Sequence, residues 1–454
     1  MQQNNFAQNL SAQQQNSHVF PRHTKHHYEM AVKGDGVYII DDNGKRYLDG
    51  ASGAAVSCLG HSNQRVIAAI KRQIDSISYA HSSVFTTTAA EELATLLCNE
   101  TSNKLNHVYF VSGGSEAMEA ALKMARQYFV ESGEMQRKHI IARDQSYHGN
   151  TLGALAVGGN RWRRQAYEPL LIDVTHVSAC YPYRGKIPGE TDESYASRLV
   201  QELEQAIEKL GGENIIAFVA ETVGGATIGC TPPVVGYFKK IRALCDKHGI
   251  LLILDEVMCG MGRCGSLFAY DAEDISPDIL AIAKGLGAGY QPIGAVMTST
   301  KIYSAFYNGS GFFQHGHTYM AHATACAAAL EVQKIFAEEN LLQSVNIRAK
   351  QLENGLRERL SNHHYVGDIR GRGLFWAVEL VEERAQKTPF SPAVKAHEKI
   401  QLAAREKGLI CYAMGGTING KEGNHVMLMP PFIISESELE WSLDQLAESI
   451  KSAL

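Results

Sequence analysis

Two apolar runs in this sequence stop abruptly at a charge. Leu251-Leu252-Ile253-Leu254 leads straight into Asp255, and Ile279-Leu280-Ala281-Ile282-Ala283 leads straight into Lys284. Short, continuous apolar runs of this length read as buried strands. In an open α/β sheet, ligands gather at the carboxyl ends of strands. Both charges are therefore presented where a ligand would lie. A lysine flanked by apolar residues has its ammonium form disfavoured by desolvation, and the neutral amine is the nucleophile of Schiff-base chemistry. Taken singly, Asp255 reads equally well as a turn or cap residue, and Lys284 as a lysine leaving a strand end for solvent.

A third element changes that balance. Val108-Tyr109-Phe110-Val111 runs into Ser112-Gly113-Gly114-Ser115, and a helical pattern starts at Glu116. A strand, a glycine turn and a helix N-terminus together offer backbone N–H groups and a helix dipole to an anion, and Ser115 adds a hydroxyl. The turn lacks the G-x-G-x-x-G of a dinucleotide fold and the G-K-[ST] of a P-loop. A fourth element, Tyr147-His148-Gly149, puts an aromatic ring near a strand end, where it could stack on a planar ligand. An amine, a carboxylate and a phosphate turn in one domain are what a pyridoxal-phosphate cofactor requires: the amine for its aldehyde, the carboxylate for its pyridine nitrogen.

The elements needed to position these groups are present in order. Asp41-Asp42-Asn43-Gly44 between two short β-prone runs predicts a hairpin, and a helix is expected over 64–77. From about residue 89 to 329 helices and apolar strands alternate. Strands are expected at 107–111, 138–143, 215–220, 250–254, 279–283 and 293–297, with helices at 89–99, 116–129 and 237–248. This alternation indicates an α/β domain with a mainly parallel sheet. One long helix follows to about residue 338, and the rest mixes helices with short strands. The expected organisation is a flexible Gln/Asn-rich arm over 1–21, an N-terminal part of a small domain over 22–75, a large domain over 76–330 and a C-terminal α+β part of the small domain over 331–454. The 454 residues, 20% charged with a formal net charge of −5, suit a globular protein rather than a partner of nucleic acid. No apolar stretch is long enough for a membrane span, the start does not read as a secretory signal, and nine cysteines without a C-x-x-C pair read as reduced thiols of a cytoplasmic protein, not as a metal site.

The segments from Asp255 to Arg263 and from Pro277 to Gly287 resemble the signature of class III aminotransferases, which are pyridoxal-phosphate enzymes of fold type I. The likeness extends from about Gly36 to Pro431. It takes in Leu48-Asp49-Gly50, Gly60-His61, Tyr147-His148-Gly149, His315-Gly316-His317-Thr318-Tyr319 and Pro430-Pro431. It implies that Lys284 carries the cofactor and shuttles the proton, that Asp255 pairs with the ring nitrogen, and that Gly114 and Ser115 hold the phosphate. It also implies that Tyr147 and Val257 cover the two ring faces and that Glu221 lies near the substrate. Thr318 would reach the phosphate of a neighbouring subunit, which implies a homodimer.

Within the family, Val257-Met258-Cys259-Gly260 is similar to the branch acting on ω-amino acids and other amines, with a 2-oxo acid such as pyruvate as acceptor. The chain departs from the pattern at three places. Thr222 stands where a proline is usual, Met258 where several members have glutamine, and no arginine follows Arg405. An acceptor carboxylate entering a dry site needs a cation. The arginines of Asn160-Arg161-Trp162-Arg163-Arg164, after the Gly158-Gly159 pair, are the candidates, Arg163 and Arg164 foremost, although the same cluster also reads as a solvated basic turn. An aminomutase, a decarboxylase of a dialkyl amino acid and a non-catalytic binding protein of the same fold are the competing readings. A nicotinamide oxidoreductase fails for want of the glycine fingerprint.

Overall fold

The structure, a computed structural model, describes residues 17–26 and 28–454. The expected arm over residues 1–21 lies, up to residue 16, outside the described residues, and residues 17–21 form no helix or strand. Three strands open the ordered fold: β1 (Ala31–Asp35), β2 (Tyr38–Asp41) and β3 (Arg46–Asp49), with β2 and β3 forming the expected hairpin around Asn43-Gly44.

The central sheet contains β4 (His107–Val111), β5 (His139–Arg143), β6 (Thr175–Val177), β7 (Ile215–Glu221), β8 (Leu251–Asp255), β9 (Ile279–Ile282) and β10 (Gly294–Thr298). Its order is β4-β10-β9-β8-β7-β5-β6. Pairs from β5 to β9 are parallel, whereas β10 runs antiparallel to both β4 and β9. The reversal has a local cause. A parallel crossover takes a dozen or more residues and usually an α-helix, but the segment 283–293 that joins β9 to β10 is shorter than that and holds only the 3-10 turn Lys284–Leu286.

The sheet is buried on both faces, so its strands read as continuous apolar runs and side-chain parity decides which layer each residue joins. Phe218, Leu252, Leu254, Leu280 and Ile282 share one core, with Leu93, Leu199 and Phe238 from flanking helices. Val219, Leu251, Ile253, Ile279 and Ala281 share the opposite core, with Ala117, Met118 and Ala121 of the helix Gly114–Glu131. Helices thus clamp the sheet from both sides, which fixes where the strand ends emerge.

After the helix Ala323–Glu338 the chain builds β11 (Val366–Arg372), β12 (Phe375–Leu380), β13 (Leu409–Ile410), β14 (Tyr412–Gly415) and β15 (Asn424–Leu428). An antiparallel sheet runs β11-β12-β15-β14, and β13 joins β3 in parallel, so N-terminal and C-terminal segments share one sheet. Among the described residues no helix is long and apolar enough to cross a membrane. All nine cysteines are free and buried.

Candidate active site

The carboxyl ends of β7, β8 and β9 lie in register: Glu221 is paired with Asp255, and Asp255 with Ala281. Lys284 follows β9 by two residues and adopts a φ of 47°, a left-handed backbone uncommon for a side-chain-bearing residue. There it opens the 3-10 turn Lys284–Leu286, and its side chain lines one cavity with Asp255 and Glu221. Burial pulls the Lys284 amine down to about 8, against the opposing pull of those two carboxylates. The uncharged amine is therefore far more abundant near neutral pH than for an ordinary lysine, and reaches about half near pH 8.

The phosphate-type turn lines the same cavity. Gly113 caps the helix Gly114–Glu131, and the Ser112 N–H donates to Glu116 Oε2 at 2.8 Å. Gly114 is held close to Val257: a Cβ on Gly114 would lie 2.6 Å from Val257 Cγ1. Gly149, with a φ of +131°, packs against Ser115, where a Cβ would meet Ser115 Oγ at 2.6 Å. Gly114 thus lets the turn lie against the Val257 side chain, and Gly149 brings the Tyr147 loop against the helix N-terminus.

Asp255 is buried, and Oδ1 accepts from the Val257 N–H at 2.9 Å while Oδ2 lies 2.8 Å from His148 Nδ1. Glu221 Oε1 accepts from the Gly225 N–H at 2.8 Å, but its buried Oε2 has no partner. Desolvation raises the Glu221 pKa. Behind this row Glu256 is fully buried and accepts from Thr222 Oγ1, Ala269 N–H and Tyr270 N–H. The threonine in place of the family's proline thus has a job, tying β7 to β8.

The cavity measures about 370 Å³ and collects Gly114, Ser115, Tyr147, Glu221, Asp255, Val257 and Lys284. Val56, Val223, Met258 and Ile293 give it apolar walls. Its volume and mix of apolar walls with a few convergent polar groups suit a small cofactor plus substrate. The donor set fits pyridoxal phosphate: a desolvated amine, a strand-end acid and an N–H-rich helix terminus lining one cavity.

Three of the expected residues do not line this cavity. The Arg163 guanidinium stacks on the Tyr147 ring at 4.6 Å and makes no ion pair among the described residues. Burial lowers its pKa, and the charge of Arg22 acts on both Arg163 and Tyr147. Arg164 turns the other way, to the Gly158 carbonyl at 3.4 Å and the His176 ring at 3.2 Å. Thr318 is exposed, and its carbonyl accepts from the Tyr79 hydroxyl at 2.8 Å. Sequence reasoning gave no role to His148, Val56, Val223 or Arg22. His148 was open to detection within its motif, whereas Val56, Val223 and Arg22 carry no local signal.

The chain matches the family model "Aminotransferase class-III" over residues 19–450. It is 43% identical over 439 residues to an uncharacterized aminotransferase of Schizosaccharomyces pombe, covering 96% of each chain. It superposes on an (S)-enantioselective omega-transaminase from Thermomicrobium roseum with a TM-score of 0.90 at 35% identity, covering 96% of each. On the omega transaminase of Pseudomonas jessenii in complex with PMP the TM-score is 0.89 at 33% identity, covering 94% of this chain and 93% of that one. Fold and site define a fold-type-I transaminase, and the protein belongs to the class III aminotransferases. Its cofactor is pyridoxal phosphate.

Proposed function

We propose that the protein moves the amino group of a terminal amine or ω-amino acid to a 2-oxo acid such as pyruvate, in two half-reactions that leave the cofactor alternately without and with the amino group. The convergence of Lys284, Asp255 and the Gly114-Ser115 turn on one apolar-walled cavity carries this reading. When bound, pyridoxal phosphate supplies an aldehyde for the incoming amine and a ring that takes up electrons from the reacting carbon.

The chain's own residues do the rest. Lys284, its amine desolvated, attaches the cofactor and then accepts and returns the proton of the substrate carbon. Asp255 meets the ring nitrogen and keeps its proton in place. Gly114 and Ser115 hold the phosphate with N–H and hydroxyl donors. Tyr147 and Val257 close on the two ring faces, and Glu221 contributes a carboxyl group near the ring and substrate. Arg163, desolvated and without an acidic partner, meets the acceptor's carboxylate beside Tyr147. Thr318 serves the site of a second subunit in a homodimer; the exposed apolar side chains of Val84, Phe85 and Tyr319 favour such a contact. The reduced, buried thiols favour the cytoplasm.

A screen of terminal amines with pyruvate tests the reading. Net transfer of isotopically labelled amino nitrogen to pyruvate is the expected result. Isomerised amine or released carbon dioxide, with no labelled product from pyruvate, would replace it by a mutase or a decarboxylase.

A further inference from the structure

The segment after β7, from Thr222 to Thr231, is an irregular loop in which every residue is buried. A buried loop must find partners for its own backbone polar groups. Part of that demand is met within the loop: Gly224 and Thr231 form a bridge, each N–H donating to the other's carbonyl at 2.8 Å. Three carbonyls at the tip are met from the C-terminal sheet. Arg370 of β11 donates to the Ile228 carbonyl at 2.5 Å and to the Gly229 carbonyl at 2.7 Å. His425 Nε2 of β15 lies 3.0 Å from the Ala226 carbonyl.

Both side chains are held in the state this contact needs. Burial pushes the His425 pKa down to about 3, so the ring is neutral and carries one N–H. The Ala226 carbonyl can only accept, which puts that N–H on Nε2, and Thr417 Oγ1 donates to Nδ1 at 2.7 Å. The buried Arg370 guanidinium is balanced by Asp368 at 2.8 Å and Glu379 at 2.7 Å. Burial opposes the Glu379 charge, but Arg370 and Arg184 together bring its pKa below the usual carboxylate range. Gly229, with a φ of +64°, seats the tip: a Cβ there would lie 2.9 Å from the His425 ring and 3.1 Å from Ala377 Cβ of β12. The same loop carries two parts of the cofactor cavity. Val223 is one of its apolar walls, and the Gly225 N–H holds Glu221 Oε1 at 2.8 Å.

We propose that Arg370 and His425 are positioning residues for the wall of the cavity formed by Val223 and Glu221. Gripping the loop at Ala226, Ile228 and Gly229 fixes where that wall stands. The fit of the donor amine then depends on two side chains that do not line the cavity themselves. Attachment of the cofactor does not depend on them, because Lys284, Asp255 and the Gly114-Ser115 turn stand on other segments. The inference rests on the reading of the cavity given above as the place of amino transfer.

The test keeps the buried charges balanced. Arg370→Lys retains the cation beside Glu379 but lacks the fork that spans two carbonyls. His425→Phe keeps a ring and removes the donor, and His425→Gln restores an N–H. Loaded enzyme is mixed with a terminal amine, without acceptor, and the half-reaction is followed by cofactor absorbance across amine concentrations. The cofactor dissociation constant is measured on the same proteins. Arg370→Lys and His425→Phe should need roughly tenfold more amine for half-saturation, with cofactor affinity within about twofold of the parent, as for a small misplacement of the substrate alone. His425→Gln should regain most of the loss. Should His425→Phe fail to fold, Arg370→Lys decides. Half-saturation close to the parent's in the folded variants would overturn the proposal. Equal losses of amine and cofactor binding would also overturn it, by showing a general loosening of the fold. His425→Gln as impaired as His425→Phe would remove His425 from it, by showing a packing role. If the parent itself gave no half-reaction with any terminal amine, the reading of the cavity would fall and the proposal with it.

Discussion

The inner part of the site, which lines the cavity, and the outer part around Arg163, which does not, are built differently. The inner part uses the ends of adjacent parallel strands and one helix N-terminus, all within the central sheet region. Glu221 and Asp255 end buried strands and Lys284 follows one by two residues, so their places are set by the register of a packed sheet. The outer part, beside Tyr147, is assembled from separate parts. The short helix Arg161–Arg164 packs near the loop joining β14 and β15, where Gly420 approaches Trp162, and Gln145 donates to the Gly416 and Thr417 carbonyls. Arg22 and Tyr412 come from still other segments. The groups that fit the cofactor thus sit on adjacent strand ends and one helix N-terminus, whereas Arg163 sits where remote segments meet.

The largest expected effect breaks the inner part. Lys284→Ala should abolish turnover, a loss of several orders of magnitude in kcat, because the attachment point and the proton carrier go together. Single-turnover kinetics with added cofactor checks this. Asp255→Asn should leave the fold intact, by circular dichroism, yet raise the barrier of both half-reactions by about 3 kcal/mol, the scale of a charged hydrogen bond in a dry site. Near-normal rates would remove the acid from the account.

The Arg163 region should respond selectively. Arg163→Ala should weaken the acceptor half-reaction by about 2–4 kcal/mol, as for truncating one member of a desolvated charge pair. The half-reaction with a carboxylate-free amine should hardly change. Equal losses in both half-reactions would place the carboxylate elsewhere. Heterodimers of Lys284→Ala and Thr318→Ala chains should regain part of the lost activity, since one of the two sites then carries neither lesion. Confirmed heterodimers without regained activity would contradict the shared site.

The smallest effect concerns pH. The Lys284 amine is depressed to about 8, so its uncharged form grows as pH rises through that value. Cofactor uptake by the cofactor-free protein should accelerate between about pH 7 and 9 and level off above, well below the usual lysine range near 10.5. A midpoint near 10 would show that Lys284 is not desolvated.

The contrast between the two parts also explains what could be read from the sequence. Asp255, Lys284 and Gly114-Ser115 were visible because an apolar strand that stops at a polar residue is a local pattern. β8 and β9 end within a residue of their expected limits. The helix Asp192–Leu210 was passed over, although Tyr195, Leu199, Leu203 and Ile207 bury one face at helical spacing and Thr191 caps it. β6, three residues long, offered almost no periodicity to detect. Arg163 and Arg164 looked equivalent because adjacent helical residues point in different directions only once the helix is placed: one lies on Tyr147, the other on His176. The apolar walls at Val56 and Val223 depend on tertiary packing alone.

Borohydride reduction of the loaded enzyme, followed by peptide mapping, tests the central claim most directly. Lys284 is the lysine whose amine the fold desolvates in the same cavity as Asp255 and the Gly114-Ser115 turn. The account requires the reduced cofactor to be found on the peptide containing Lys284. Cofactor fixed to any other lysine, with Lys284 unmodified, would contradict it.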